Sequence, residues 1–374
     1  MKSELMEILL VTVPGLEDLL RAEAVEKGFK KPSIVTGGVL IKGKWPDVWR
    51  ANLQLRGASR ILVRIGSFRI AHLSKLEGMA RHFPWEEHIA RGTSLRVDVT
   101  SHKSKIYHQK AAAERFEKAL VSAIDADIDP EADLVLKIRF FKDVCTISVD
   151  SSGDGLHIRG TKQALNKAPL RETLAALILR QAGFKGKEPV VDPMCGSGTL
   201  VLEAAEIASR LDAGRSRNFA FQLLPSFDAD AFQELKDRTK KAESEFQFYG
   251  FDRDAGAVER AISNAERADV DDVCSFTRQT VSDLTPPDGP KGLVIVNPPY
   301  GIRIGDQKKL APLYQKLGHV LKTRFAGWRV AILTNTGKLA EATELPFNPD
   351  PVGFSHGGIK VKLYLTDVLE ERVS

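Results

Sequence analysis

Asn297-Pro298-Pro299-Tyr300-Gly301 follows the apolar run Gly292-Leu293-Val294-Ile295-Val296. The run reads as a buried strand. The two prolines hold the backbone extended and remove two N–H donors, and Gly301 lets the chain turn away. What remains beyond the strand suits a flat amine. The Asn297 carboxamide oxygen is one acceptor, and the Pro298 carbonyl, with no helix or strand partner in prospect, is a second. Two acceptors facing an exocyclic –NH2 would orient its protons and leave its lone pair pointing elsewhere. The Tyr300 ring offers a face for a stacked base, a contact of about 1–3 kcal/mol. The same five residues also read as a strand-ending turn over a core tyrosine.

A second group lies upstream. Pro189-Val190-Val191 is a short strand running into Asp192-Pro193-Met194-Cys195-Gly196-Ser197-Gly198-Thr199, with a helix from about Leu200. The Gly196–Gly198 turn would let a ligand approach backbone N–H groups. Residue 201 is Val, so the G-x-G-x-x-G spacing is not met, and the absence of a Walker lysine disfavours ATP. Asp192, ahead of the turn, could accept from an ammonium group. Asp252 ends the next strand, where an acid can take both ribose hydroxyls. Asp283 is placed to accept from an adenine amine. An ammonium, a ribose and an adenine without phosphate describe S-adenosylmethionine better than NAD. Each acid alone reads equally as a cap or turn residue; three at successive strand ends argue against coincidence. Cys195 has no histidine nearby in sequence and reads as a small packing residue.

The elements that must position these groups alternate. From Pro169 onward, apolar strands and amphipathic helices succeed one another, which implies an α/β fold with a mostly parallel sheet and helices on both faces. Ligands of such sheets bind beyond the strands' carboxyl ends, where each group above lies. Residues 351–354 and 359–368 could add an antiparallel hairpin. The first half instead has the α+β alternation of a ferredoxin-like unit, followed by a second α+β module.

Charge separates the halves. Residues 51–110 hold eleven Lys/Arg against four Asp/Glu, a surplus larger than the whole chain's net charge of +5. A basic module joined to a near-neutral one suits a polyanion. Within it, Lys103, Lys105 and Tyr107 precede an Ala-rich helix over about 110–123, whose N-terminus favours phosphate. We read this stretch as an RNA-backbone surface; a solvated, capped loop is the alternative.

With 374 residues, 43% hydrophobic and 28% charged, the chain has the composition of a multidomain globular protein. It lacks an apolar run long enough for a membrane span. Two acids near the start make a poor signal peptide, so a cytoplasmic location is expected. Three scattered cysteines and eight histidines without ligand spacing predict neither a disulfide framework nor a metal site.

Taken together, these residues resemble the THUMP-domain-containing class I RNA guanine-N2-methyltransferases. The resemblance covers essentially the whole chain. Asp192–Thr199 and Asn297–Gly301 are its specific signatures. It is carried further by Pro14-Gly15-Leu16-Glu17, Ala51–Arg56, Ala58-Ser59-Arg60, Asp150–Gly153, Leu156–Gly160 and Ala168-Pro169-Leu170. It implies a ferredoxin-like domain over 1–64, a THUMP RNA-binding domain over 65–155, a linker over 156–168, and a Rossmann-like methyltransferase domain with a seven-stranded sheet over 169–374. It implies methyl transfer from S-adenosylmethionine to guanosine N2 in 23S rRNA or, as an alternative, tRNA.

Asn297, Pro298 and Tyr300 would be catalytic. Asp192, Pro193, Gly196, Gly198, Thr199, Asp252, Asp283 and Asn297 would bind the cofactor. Arg159, Arg215 and Arg217 would add phosphate contacts to Lys103, Lys105 and Tyr107. Phe219 and Phe221 read as core rather than as walls of a base pocket. The chain departs from the family at Thr161-Lys162, where Tyr-Arg is usual, and at Ile302-Arg303-Ile304, where a Glu often stands. Oligomeric state is open, with a monomer expected. Competing readings are an amino-methyltransferase acting on DNA adenine or protein glutamine, and an RNA-binding assembly factor with a vestigial cofactor site.

Overall fold

The computed structural model describes residues 5–161, 170–301, 304–356 and 358–371. The chain divides into two compact units. One comprises Met1–Thr12, Leu20–Leu156 and Arg217–Arg238; the other comprises Val13–Leu19, His157–Ser216 and Thr239–Ser374.

In the first unit, eight strands form one sheet. They are β1 (Met6–Val11), β2 (Ser33–Val35), β3 (Gly38–Gly43), β4 (Arg60–Arg69), β5 (Ser94–His102), β6 (Asp127–Ile128), β7 (Val135–Phe141) and β8 (Val144–Asp150), in the order β2-β3-β1-β4-β8-β7-β5-β6. The helices α1 (Glu17–Glu26), α2 (Trp45–Gln54), α3 (Leu73–Arg81) and α4 (Gln109–Ile124) alternate with them. Alternation along β4 sets Ile61 and Val63 in the core and leaves Arg60 and Arg64 half-buried. β4 pairs with β1 over Arg60–Arg64 and with β8 over Leu62–Arg69, with a register shift between Arg64 and Gly66. The boundary expected at 64/65 therefore falls inside a strand. Lys142 and Asp143 turn β7 into β8 with φ of 50° and 60° at the two central positions, as a tight hairpin requires.

The segment Arg217–Arg238 packs with α2. Trp49, Phe219, Phe221, Phe227 and Phe232 form one aromatic cluster, with centroids 5.1–6.4 Å apart in its ring pairs. Phe219 and Phe221 are buried there, as core. Sequence order had grouped this segment with the second half of the chain.

Among the described residues the second unit holds seven strands: β9 (Val190–Asp192), β10 (Phe248–Asp252), β11 (Cys274–Arg278), β12 (Leu293–Val296), β13 (Arg329–Thr334), β14 (Val352–His356) and β15 (Ile359–Leu365). Their order is β11-β10-β9-β12-β13-β15-β14. β9 to β13 are parallel, and β15 runs antiparallel to both β13 and β14. This is the mostly parallel α/β sheet expected for the second half of the chain, and the mixed sheet of the first unit is the α+β arrangement expected for the first. The remaining helices are α5 (Glu172–Gln181), α6 (Thr199–Ala208), α7 (Ala229–Asp237, in the first unit), α8 (Ala255–Ala268), α9 (Ile304–Arg324) and α10 (Gly337–Ala342).

Every residue of β12 is buried, as expected of a parallel strand covered on both faces. Val191, Val294, Val296 and Ile332 from the sheet meet Tyr314, Leu317, Leu321 and Phe325 from and just beyond α9. Each such burial stabilises by about 1.5–3 kcal/mol. Strand order reverses between β9 and β12, the switch point at which open α/β sheets bind ligands. The expected helix start at Pro169, and most of the expected linker including Lys162, lie outside the described residues. Helix α5 is seen from Glu172, with Leu174, Ala175, Leu177 and Ile178 buried. Among the described residues, no helix is long and apolar enough to cross a membrane.

Candidate active site

β9 ends at Asp192, and the chain enters α6 through the glycine turn. Gly196 and Gly198 have φ of 55° and 87°, a left-handed conformation that a side chain would strain. Gly198 is also closely packed: a Cβ there would meet Ala261 and Phe276 at 3.2 Å, tighter than ordinary contact. Asp192 is 2% exposed, and its Oδ1 accepts from the Met194 N–H at 3.0 Å. Burial pushes its carboxyl up to about 8, with the Asp252 charge adding and the Met194 N–H opposing. Pro193 and Thr199 are buried in the turn. Cys195 is buried too, and burial raises its thiol further, which suits packing and not nucleophilic attack.

Asp252 ends the neighbouring β10. Its Oδ2 accepts from the Gly196 N–H and its Oδ1 from the Asp254 N–H, both at 3.0 Å. The carboxylate thus ties the glycine turn to the next strand and retains lone pairs on both oxygens. Asp283 lies one strand further on, in a short turn at Val281–Asp283 after β11, and is exposed. Its Oδ2 accepts from Thr280 Oγ1 at 2.7 Å.

On the other side of β9, β12 delivers Asn297. Its Oδ1 is buried and has no hydrogen-bond partner among the described residues. Pro298 is buried behind it, and Pro299 is exposed. The Tyr314 hydroxyl donates to the Pro299 carbonyl at 3.4 Å, and the Asn335 Nδ2 donates to the Gly301 carbonyl at 2.9 Å. The turn is therefore held from α9 and from the end of β13. Tyr300 is half-buried against the core cluster, so part of the core-tyrosine reading applies, and burial raises its hydroxyl above the usual range. The structure thus brings Asp192, the glycine turn, Asp252, Asp283 and Asn297 to the carboxyl ends of the four adjacent strands β11-β10-β9-β12. Residues 302 and 303, where the family's Glu is absent, lie outside the described residues.

Three arginines expected at phosphate are engaged elsewhere. Arg159 is 4% exposed and faces Glu203 at 3.5 Å. Arg215 pairs with Glu206 at 2.9 Å and donates to the Asp212 and Ala268 carbonyls. Arg217 donates to the carbonyls of Ser152, Asp154 and Gly155 at 2.9–3.0 Å and lies over the Phe219 ring. By satisfying main-chain oxygens, Arg215 and Arg217 hold loops in place. In the first unit, Lys103, Lys105 and Tyr107 are exposed ahead of α4, Tyr107 by 68%. Asp143 fixes their loop by accepting from the Lys105 N–H at 2.8 Å and Ser104 Oγ at 3.0 Å.

Sequence reasoning missed the support of the glycine turn. Buried Asn264, on α8, donates to the Ser197 carbonyl at 3.1 Å. Arg267 donates to Asn264 Oδ1 and, at 3.0 Å, to the Thr161 carbonyl. It also missed Asn335, whose only signal is its place at the end of an apolar run, as at Asn297. No group of three or more metal-ligating side chains occurs among the described residues.

Comparison with known proteins places this geometry. Residues 159–348 match the RMKL-like methyltransferase domain, residues 7–62 the RlmL ferredoxin-like domain, and residues 71–150 the THUMP domain. The chain is 34% identical over 343 residues to the ribosomal RNA large subunit methyltransferase K/L of Psychromonas ingrahamii. That match takes in 88% of this chain and 46% of the relative, so the chain spans less than half the length of the relative.

Among solved structures, SMU.472, a candidate methyltransferase in complex with SAH, superimposes with a TM-score of 0.88 at 26% identity over the whole of both chains. A protein of Listeria monocytogenes named a predicted N6-adenine-specific DNA methylase gives 0.87 at 28% identity, covering 98% of this chain and 97% of its own. TrmN of Thermus thermophilus, at 22% identity and 0.75 over 97% of this chain and 100% of its own, shares the fold. With its methyltransferase-domain match spanning more than half its length, and the N-terminal matches in the same order, this chain belongs to the RMKL-like methyltransferase family.

Proposed function

We propose that this protein methylates the exocyclic N2 of a guanosine in 23S rRNA, in the cytoplasm, using S-adenosylmethionine. The observation that carries the reading is the buried, unpartnered Asn297 Oδ1 at the switch point. An orphaned buried acceptor is costly in a folded protein and is explained by a donor that arrives with the substrate. The methyl donor fits the rest of the rim. Asp192 and Asp252 place two interacting carboxyl groups where a cation is favoured, and the glycine turn brings main chain close to the same place. When bound, S-adenosylmethionine supplies an electrophilic methyl group on a sulfonium.

The amine of guanine is a poor nucleophile because its lone pair is delocalised into the ring. Asn297 Oδ1 and the Pro298 carbonyl hold its two protons and favour the pyramidal nitrogen needed for in-line attack. As the N–C bond forms, the methyl–sulfur bond breaks and its electron pair returns to sulfur as a neutral thioether; positive charge develops on N2, and the two oxygens stabilise it. The surplus proton then leaves N2 for water. Much of the acceleration is positioning. Tyr300 presents the exposed part of its ring to the base, and a paired target leaves its stack first.

The test is methylation of transcribed 23S rRNA, tRNA and duplex DNA side by side, with modified nucleosides mapped. N2-methylguanosine in the rRNA is the expected product, and Asn297→Ala removes it while S-adenosylmethionine still binds. N6-methyladenine in the DNA, or undiminished turnover by the variant, overturns the reading.

A further inference from the structure

Asn335 Oδ1 is a second buried carboxamide oxygen at this rim with no partner among the described residues. Asn335 stands one residue past the end of β13, the strand beside β12. Val296 is opposite Ile332 in that pairing. Asn297 thus stands beside Leu333, and Asn335 is two residues nearer the rim, about 7 Å along the strand. The Asn335 Nδ2 is committed to the Gly301 carbonyl at 2.9 Å. Its Oδ1 therefore cannot turn to another donor without breaking the bond that anchors the Asn297–Gly301 turn. The Asn335 carboxamide is thus fixed by the fold, and both residues carry an unsatisfied acceptor at one end of one strand pair.

We infer that Asn335 selects the base: its Oδ1 accepts the ring N1–H of guanine while Asn297 and Pro298 hold the N2 amine. The inference rests on the guanine-N2 reading above and extends it to specificity. Guanine offers N1–H and the N2 amine as adjacent donors. Adenine carries a lone pair at N1, as does 2,6-diaminopurine, which keeps the N2 amine. Either base would set that lone pair against the Asn335 oxygen, an acceptor facing an acceptor. Sites built around a buried hydrogen bond reject analogues that cannot make it far more strongly than apolar pockets reject a missing methylene.

The experiment uses the full chain and synthetic RNAs identical except at the mapped target position, which carries guanosine, 2,6-diaminopurine or adenosine. The wild type is expected to favour guanosine over 2,6-diaminopurine by about 100-fold or more in kcat/KM. Asn335→Ala reduces that preference to less than about 10-fold. Asn335→Asp, which keeps an acceptor oxygen and loses the donor to Gly301, slows turnover and retains the preference. S-adenosylmethionine affinity and the melting temperature establish that each variant is folded, and Asn335→Ser replaces the alanine variant if that one is not. Guanosine methylation with an unchanged preference in Asn335→Ala or Asn335→Ser overturns the inference alone. Methylation of adenosine in place of guanosine, or of no base, overturns the guanine reading and this inference with it.

Discussion

The carboxyl rim of the second unit and the loop over 150–155 of the first treat buried polar groups in opposite ways. Around that loop they are satisfied. Arg60 pairs with fully buried Asp150 at 2.6 Å, and Asn52 donates to Ser151 Oγ at 2.9 Å while accepting from Ser152 Oγ at 2.7 Å. Arg217 is used up on main-chain carbonyls. At the rim, the Asn297 and Asn335 oxygens have no partner among the described residues, and Asp192 is buried with its carboxyl raised to about 8. Satisfied groups build architecture; a rim that leaves acceptors open and an acid near neutrality is arranged for something that binds.

The contrast can be broken most directly at Asn297. Asn297→Ala is expected to lower kcat by about 1000-fold or more, while the S-adenosylmethionine dissociation constant moves less than about threefold, measured by single-turnover methylation and calorimetry. A matched loss in both would make Asn297 architectural like the first unit's polar groups.

The reverse experiment is Arg60→Met. It strands a buried carboxylate and should cost about 3 kcal/mol in urea unfolding. Methyl-donor affinity should change little. A stability loss below about 1 kcal/mol would remove the distinction between the regions.

A pH series sharpens the comparison at Asp192. Its carboxyl titrates near 8 when folded and near its ordinary value of 3.8 when unfolded. Between those limits the folded state holds the additional proton. Its contribution to stability is therefore greatest at the acid end and declines as pH rises, by up to about 1.4 kcal/mol per pH unit. Asp192→Asn should flatten that part of the stability profile between about pH 4 and 8. Parallel profiles for the two proteins would show that the acid is not held in its neutral form.

The smallest effect belongs to the exposed cations. Lys103→Ala and Lys105→Ala should each weaken rRNA binding a few-fold and reduce the slope of log affinity against log salt by about 0.7 per lost phosphate contact. kcat at saturating RNA should stay the same.

Much of the rim was legible because breakers interrupt apolar runs there. Pro298-Pro299 after Val296, and the glycines after Val191, can end a buried strand in few other ways. The arginines were not legible. A guanidinium carries five donors, and sequence does not tell whether they meet a phosphate or four carbonyls, as they do at Arg217. Nor did it separate Arg217–Arg238 from the second half. The contacts of Phe221 and Phe232 with Trp49 span more than 170 positions, and no local pattern announces them. Asn335 escaped because Thr334-Asn335-Thr336 resembles an ordinary turn. Its meaning lies in which of its two amide atoms is already taken.

β4 serves two masters along its length, bonded to β1 near its start and to β8 through Arg69. Separate family descriptions cover the modules on its two sides, ending at residue 62 and beginning at residue 71, yet the backbone between them is one ladder. The two should melt in a single transition. Grafting the THUMP module onto another enzyme would require carrying β1, β3 and α2 along with it, because a cut at residue 64 leaves half a strand on each side of the knife.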